Sequence, residues 1–318
     1  MSMYAFSKLE GRDLEMNIKK SKLRKHYPLL MFLLPAMIFV FIFSYIPMYG
    51  VLIAFQDYVP GDPIISSNAY WVGFDHFERF LNDFRFIQLL KNTFFLSLFG
   101  FLIGFPLPII IALLLNSMRS QKTSKRLQTI FYAPHFISVI VLVGMLQLLF
   151  GEYGFVNNLV LSLGGEKYSY FLENEAFRPL FIISGNWQDF GWSAIIYLAA
   201  LSGVDPTLHE AAVVDGASRF QRVIHIDFPA IFPTVSILLI LSIGNLLGVG
   251  YEKVLLMQTG GNIAVSEVIS TYVYKTGLTG FPEFSYASAI GLFNSLINVT
   301  LLVIANTIAK RFSENSLW

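Results

Sequence analysis

The chain contains no cysteine, which removes disulfides, thiolate metal sites and cysteine nucleophiles together and leaves the redox compartment unread. Charge is scarce as well. Lysine, arginine, aspartate and glutamate make up 14% of the 318 residues, against about a quarter in an ordinary soluble domain. The signs cancel to a net charge of +1, so no basic face can neutralise a run of phosphates, and nucleic acid is not an expected partner. The five histidines include no pair at metal-ligand spacing, so no metal site is expected. No G-x-x-x-x-G-K-[ST] run occurs; the chain cannot itself cradle the phosphates of ATP. Serines, histidines and aspartates are scattered without a nucleophile arrangement, which points away from an enzyme. What fills the chain instead is apolar: 55% hydrophobic and 16% aromatic, with a mean hydropathy of +0.60. That is too apolar for a soluble domain and suits a membrane protein with aromatic belts.

The apolar runs predict an all-α polytopic protein with six transmembrane helices and both termini cytoplasmic. Residues 1–27 form a basic segment in which Lys8, Arg12, Lys19, Lys20, Lys22, Arg24 and Lys25 outweigh the acids. The apolar stretch that follows, to about Phe55, is too long for a signal peptide and lacks a small-residue cleavage site. It reads as the first span, kinked by Pro35 and Pro47. Phe74, Phe77, Phe80, Leu81 and Phe84 lie at helical spacing among charges and predict a short amphipathic helix along the outer interface. Further spans are expected at about 92–116, 129–150, 180–202, 231–249 and 287–309. The loop with Arg119, Lys122, Lys125 and Arg126 has no acid and marks the inside, as do Lys310 and Arg311 after the last span. Residues 151–179 and those after about 250 read as outer loops. The six-span body is expected over 28–318.

Between the fourth and fifth spans, residues 203–231 form a polar insert. Asp205-Pro206 makes a helix opening, with a carboxylate at the cap and proline where no donor is needed. Gly216 interrupts the helical pattern, and Pro229 and Pro233 are expected to end the insert. Val213, Ala217, Phe220 and Ile224 share one face, with Glu210, Arg219 and Arg222 off it. Two short helices joined at a glycine suit docking into a groove on another protein.

Glu210-Ala211-Ala212, Asp215-Gly216-Ala217, Ile226 and Phe228-Pro229 stand at the spacing of the EAA loop of bacterial ABC-importer permeases, which this insert resembles. Phe228 replaces the family's leucine and keeps a bulky apolar side chain there. Tyr132-Ala133-Pro134-His135-Phe136-Ile137-Ser138 is similar to the YLPHFIS segment of permeases for complex oligosaccharides, with Ala133 in place of leucine. Ser270 to Leu278, Phe284 to Ala287, Ile290 to Phe293 and Ser316-Leu317-Trp318 are similar to the same carbohydrate branch. The resemblance covers most of 28–318. It implies a bacterial plasma-membrane permease of a type I importer, with a second homologous permease, a cytoplasmic ATPase dimer that binds ATP and magnesium, and an extracytoplasmic solute-binding protein. No cofactor is implied in this chain. It further implies that Glu210, Ala211, Ala212, Asp215, Gly216, Ala217, Phe220, Ile226 and Pro229 couple to the ATPase, Glu210 by pairing with a basic or polar group and Gly216 by allowing a sharp turn.

Polar side chains inside spans are the second informative set. Trp187, Gln188, Asp189 and Trp192 sit in the fourth span, Asn245 in the fifth, Tyr251 beyond its end, and Asn294, Asn298 and Asn306 in the sixth. An ionisable residue at membrane depth is costly and faces protein or a water-filled cavity. Asp189 between two tryptophans offers stacking for a sugar ring and bonds for its hydroxyls. Trp187, Gln188, Asp189, Trp192, Asn245, Tyr251 and Asn294 are therefore candidate substrate-path residues, although each asparagine taken alone better suits helix–helix contact and Tyr251 a solvated loop. His135 reads as structural or interfacial. The rival readings are a secondary transporter driven by an ion gradient, which wants more intramembrane carboxylates and an internal repeat, and an importer permease for a solute other than sugar.

Overall fold

The computed structural model describes residues 30–65, 69–312 and 316–318. The basic segment 1–27 lies outside the described residues. Strand pairing among the described residues is limited to a single bridge between Gln56 and Trp71; the rest of the regular structure is helical. Contacts divide the chain into two units, one holding residues to Ile53 with Val59–Ala69, the other Ala54–Tyr58 with Tyr70–Trp318.

The first unit carries most of α1, Leu30–Phe55. It runs through Pro35 without a break and loosens into a π turn at Phe41–Tyr45. Pro47, four residues after Phe43, has no amide to return to the Phe43 carbonyl. A tighter turn at Tyr49–Phe55 ends the helix.

The second unit begins with α2, Asp75–Leu81, the amphipathic helix expected from the phenylalanine spacing. α3, Phe86–Asn116, starts earlier than the expected span. It is interrupted at Phe105, where Pro106 and Pro108 withhold amide donors. The third span is not the single helix 129–150 expected. α4, Gln121–Tyr132, gives way to a 3₁₀ turn, Ala133–Phe136, and α5, Val139–Phe150, starts afresh with Ser138 as its cap. Pro134 cannot continue the α4 ladder, and Ile137 takes an extended backbone.

The segments expected as outer loops are more ordered than loops. They hold α6, Phe155–Ser162. α7, Asn174–Leu201, follows, then α8, Pro206–Val214, and α9, Arg219–Gly244. Beyond α9 come α10, Tyr251–Met257, α11, Ile269–Leu278, and α12, Phe284–Phe312. The insert does not stop at Pro229 or Pro233. Pro229 lies inside a continuous helical run and has no amide to return to the His225 carbonyl four residues before it, and the ladder loosens there instead of stopping. A π turn at Val223–Asp227 joins the stretch beginning at Phe228 back to Arg219–Arg222. The second short helix is therefore the head of α9.

Among the described residues, five stretches are long and apolar enough to cross a membrane: α1, α3, Val139–Ser162 (α5 and α6), α9 and α12. α7 is not among them, yet its 28 residues reach about 42 Å at ~1.5 Å per residue. Asn186, Gln188 and Asp189 at its middle lower its hydropathy.

Those same residues divide the core. One apolar cluster holds Leu96, Val143, Leu146, Phe177, Ile182, Val254, Met257 and Val268. A second holds Ile109, Ala112, Ala194, Tyr197, Leu201, Ile231 and Val235. α3 and α7 belong to both, and between the clusters each presents small or polar residues. A third cluster packs Phe80 and Leu89 against Ile269, Tyr272, Tyr286 and Ile290.

Candidate functional site

Two places gather the residues singled out in the sequence. The first is the helix pair after α7. Asp205 accepts the Thr207 amide at 2.9 Å and caps α8 with Pro206 at its first position; that bond holds the Asp205 carboxyl below its ordinary pKa. At the far end the Gly216 amide donates to the Val213 carbonyl at 3.1 Å and the Ala217 amide to Ala212 at 2.8 Å. These are the paired bonds of a Schellman stop, and Gly216 takes the positive φ it needs, +80°. Ser218 and Gln221 then form a reciprocal capping box that starts α9. Local chemistry thus fixes an abrupt turn between two helices. The pair leaves Val213, Val214, Phe220 and Ile224 exposed, Val214 at 87%. Glu210 is exposed and lines a polar cavity of about 600 Å³ with Arg119, Arg219 and Arg222. Asp215 and Ala211 are exposed; Ala212, Ala217 and Ile226 are half-buried.

At the floor of this pair lies a group that sequence reasoning passed over. The Asp227 side chain is buried, and its Oδ1 accepts from Asn116 Nδ2 at 3.2 Å and lies 3.2 Å from His209 Nε2. An acid at the mouth of an apolar run was the available signal.

The second place is the polar layer between the apolar clusters. Asp189 and Asn245 line two hollows that share Gly100. One, about 590 Å³, also has Phe101, Phe105, Ser193, Tyr197 and Ser242. The other, about 380 Å³, has Ser97, Gln188, Glu252 and Lys253. The broken third span is bound to this layer. Gln188 Nε2 donates to the Ile137 carbonyl at 2.7 Å, supplying the bond that the interrupted helix cannot make. Asp189 Oδ1 meets His135 Nδ1 at 2.9 Å, and Trp192 stacks on the His135 ring at 4.5 Å and 7°. His135 is therefore held by both candidate neighbours rather than standing alone.

α4 and α7 come this close because residue 191 is glycine. A Cβ there would lie 1.9 Å from the Phe131 carbonyl oxygen.

The other candidates are placed elsewhere. Trp187 faces an apolar groove with Leu142, Met145, Leu149 and Ile183, away from Asp189's hollows. Tyr251 stacks on Tyr274 at 4.9 Å and shares a separate hollow with Asn294. Asn294 reaches the Leu247 carbonyl at 3.4 Å, and Asn298 accepts the Leu247 amide at 3.0 Å. Asn306 accepts the Leu317 amide at 2.8 Å. These asparagines tie α12 to the chain around it. Among the described residues no group of histidines and carboxylates could hold a metal ion.

The family profile described as "Binding-protein-dependent transport system inner membrane component" matches residues 104–314. The polygalacturonan/rhamnogalacturonan transport system permease protein YteP of Bacillus subtilis (strain 168) is 43% identical over 298 residues, covering 93% of this chain and 92% of that protein. A bacterial ABC transporter involved in the import of the acidic polysaccharide alginate contains a chain with a TM-score of 0.81 and 36% identity, covering 92% of this chain and 99% of that one. A bacterial alginate ABC transporter in complex with an alginate pentasaccharide-bound periplasmic protein gives a TM-score of 0.82 at 35% identity, covering 93% and 99%.

Proposed function

The chain belongs to the family of binding-protein-dependent transport system inner membrane components, and from that premise we propose that it passes oligosaccharides into a bacterial cell as one of two homologous permease subunits. As a member of that family it is a multi-pass plasma-membrane protein. In this reading an ATPase dimer, which binds the ATP and magnesium, docks on α8 and the head of α9, and an extracytoplasmic binding protein delivers the sugar. Six segments cross the bilayer: α1, α3, α4 with α5, α7, α9 and α12. Both termini and residues 203–231 face the cytoplasm.

The observation that carries the coupling role is the capped turn at Gly216. It presents Glu210 and the exposed Val213, Val214 and Phe220 on a short rigid pair continuous with a spanning helix. A push on that pair therefore acts directly on α9. The sugar reading is supported by the relatives that handle polysaccharide fragments and by the polar layer. Gln188, Asp189 and Asn245 offer bonds to hydroxyl groups, with Trp192 held beside them through His135. Tyr251 and Asn294 belong to a separate hollow nearer the outer segments, and Trp187 to an apolar groove.

The test is uptake into liposomes holding the chain with its partner permease and ATPase, with loaded binding protein outside. Oligogalacturonide uptake is expected to need internal ATP and to ignore a proton or sodium gradient. Gradient-driven uptake by this chain alone would overturn the proposal.

A further inference from the structure

We propose that Asp227 is a positioning residue that carries movement of α8 into the wall of the polar layer, an inference that rests on the permease reading above. Three elements meet on one oxygen of this buried carboxylate. His209 reaches it from α8, one position before Glu210. Asn116, the last residue of α3, donates to it. Asp227 itself ends the π turn in α9. The charged groups around this node are Arg222 on α9 and Arg119, Arg219 and Glu210, which line the same polar cavity as Asp227.

The far end of this linkage is the transport path. α3 packs along α7, and through Gly100, Phe101, Gly104, Phe105 and Pro108 it lines the hollow that holds Asp189 and Asn245. Movement at Asn116 is therefore movement of that wall. The kind of bond matters. Apolar side chains slide over one another because their attraction has no direction. A hydrogen bond fixes distance and angle, and a buried carboxylate cannot release its partners without being left uncompensated. α8 is held to α3 through Asp227 by bonds that resist slip, while its exposed face stays free for the ATPase. The interruption of α3 at Phe105 lets the inner half move without dragging the outer half rigidly.

The experiment measures ATP hydrolysis and sugar uptake in the same liposomes, with the complete complex and loaded binding protein. It compares wild type with His209→Ala, Asn116→Ala, the double variant and Asp227→Asn. Complex yield and hydrolysis are expected to stay near wild type. Uptake per ATP is expected to fall about ten-fold in each single variant, the effect of one charge-assisted hydrogen bond on a two-state balance. The double variant should be no worse than either single one, because both cut the same link. His209→Gln, which can still donate to Asp227, should restore most of the coupling and serves if the alanine variants assemble poorly.

Uptake and hydrolysis falling together with complex yield would show a purely structural contact and overturn the inference. So would unchanged uptake per ATP, or independent losses that multiply in the double variant. Wild-type vesicles without ATP-driven uptake would instead overturn the permease reading, and the inference with it.

Discussion

Gly216 shows how little of a side chain is needed to set a turn. Its ideal Cβ position is open, with nothing within 4 Å, so crowding is not the reason for glycine. The reason is the backbone: φ is +80°, a conformation that costs an ordinary L-residue about 1–2 kcal/mol. Gly216→Ala should therefore lower the stability of the turn by about 1 kcal/mol and leave the spans intact. Gly216→Pro fixes φ near −65° and deletes the amide that bonds Val213, so the turn cannot form. Both variants are expected in the membrane at normal amounts. Uptake per ATP should be slightly reduced in the first and abolished in the second, read by transport assays beside ATPase pull-down. Wild-type transport in the proline variant would remove the turn from the mechanism. This position was legible in the sequence because capping is local: Asp205-Pro206 and Asp215-Gly216 state their geometry within one helical turn. Asp227 was not, because its partners stand 18 and 111 residues away, at His209 and Asn116.

At the scale of the helix, α7 sets the terms for its neighbours. It runs through both apolar clusters and carries its polar residues in the gap between them. Gly191 is where α4 comes closest, since any Cβ meets the Phe131 carbonyl at 1.9 Å. Backbone cannot rotate out of the way as a side chain can, so Gly191→Ala must push α4 and α7 apart. Overpacking of this kind costs about 1–3 kcal/mol. The shift should also open the His135–Trp192 stack. The expected result is a lower midpoint of thermal unfolding in detergent, with tryptophan fluorescence altered already in the folded state. An unchanged midpoint and spectrum would mean the two helices do not touch as described. The broken third span escaped the sequence reading for a related reason. Ala133-Pro134-His135 falls inside the span expected at about 129–150, where a proline by itself signals a kink and not a fresh helix start. The helix before it, Gln121–Tyr132, is polar by composition and carries Lys122, Lys125 and Arg126. Only the donor from Gln188 on α7 makes a break at Ile137 tolerable, and a single strand of sequence does not show that pairing. α11 was missed similarly: a ten-residue helix flanked by segments with one acid each, Glu267 and Glu283, has too weak a period to stand out.

At the scale of the whole second unit, the fold is closed by contact between its first helix and its last. Arg79 on α2 forms a double hydrogen bond with Glu283, just before α12, one arm at 3.1 Å. The guanidinium also lies 4.0 Å from the centre of the Tyr286 ring. Beside it the Tyr272 hydroxyl donates to Asp83 at 2.8 Å and accepts from Arg85 at 2.7 Å, which brings α11 into the same clasp. The hydrogen bond from Arg79 holds the Glu283 carboxyl below its ordinary pKa. A carboxyl whose pKa is lower folded than unfolded adds stability above its unfolded value, and that share is lost as pH falls through the folded value. The clasp should therefore be complete at neutral pH and weaken below about pH 4, where an ordinary glutamate gains its proton. Arg79 and Glu283 are about half exposed, 53% and 47%, so solvent screening keeps the contribution under about 1 kcal/mol. Hydrogen exchange of the Asp75–Leu81 amides is the direct reading. It should quicken several-fold, once intrinsic rates are corrected for pH, on going from neutral to acid. Glu283→Gln should show the quickened exchange already at neutral pH and no further acid dependence from this pair. Equal protection of α2 in wild type and variant would mean that the apolar packing of Phe80 against Tyr272, Tyr286 and Phe293 holds the closure by itself, and that the charges only decorate it.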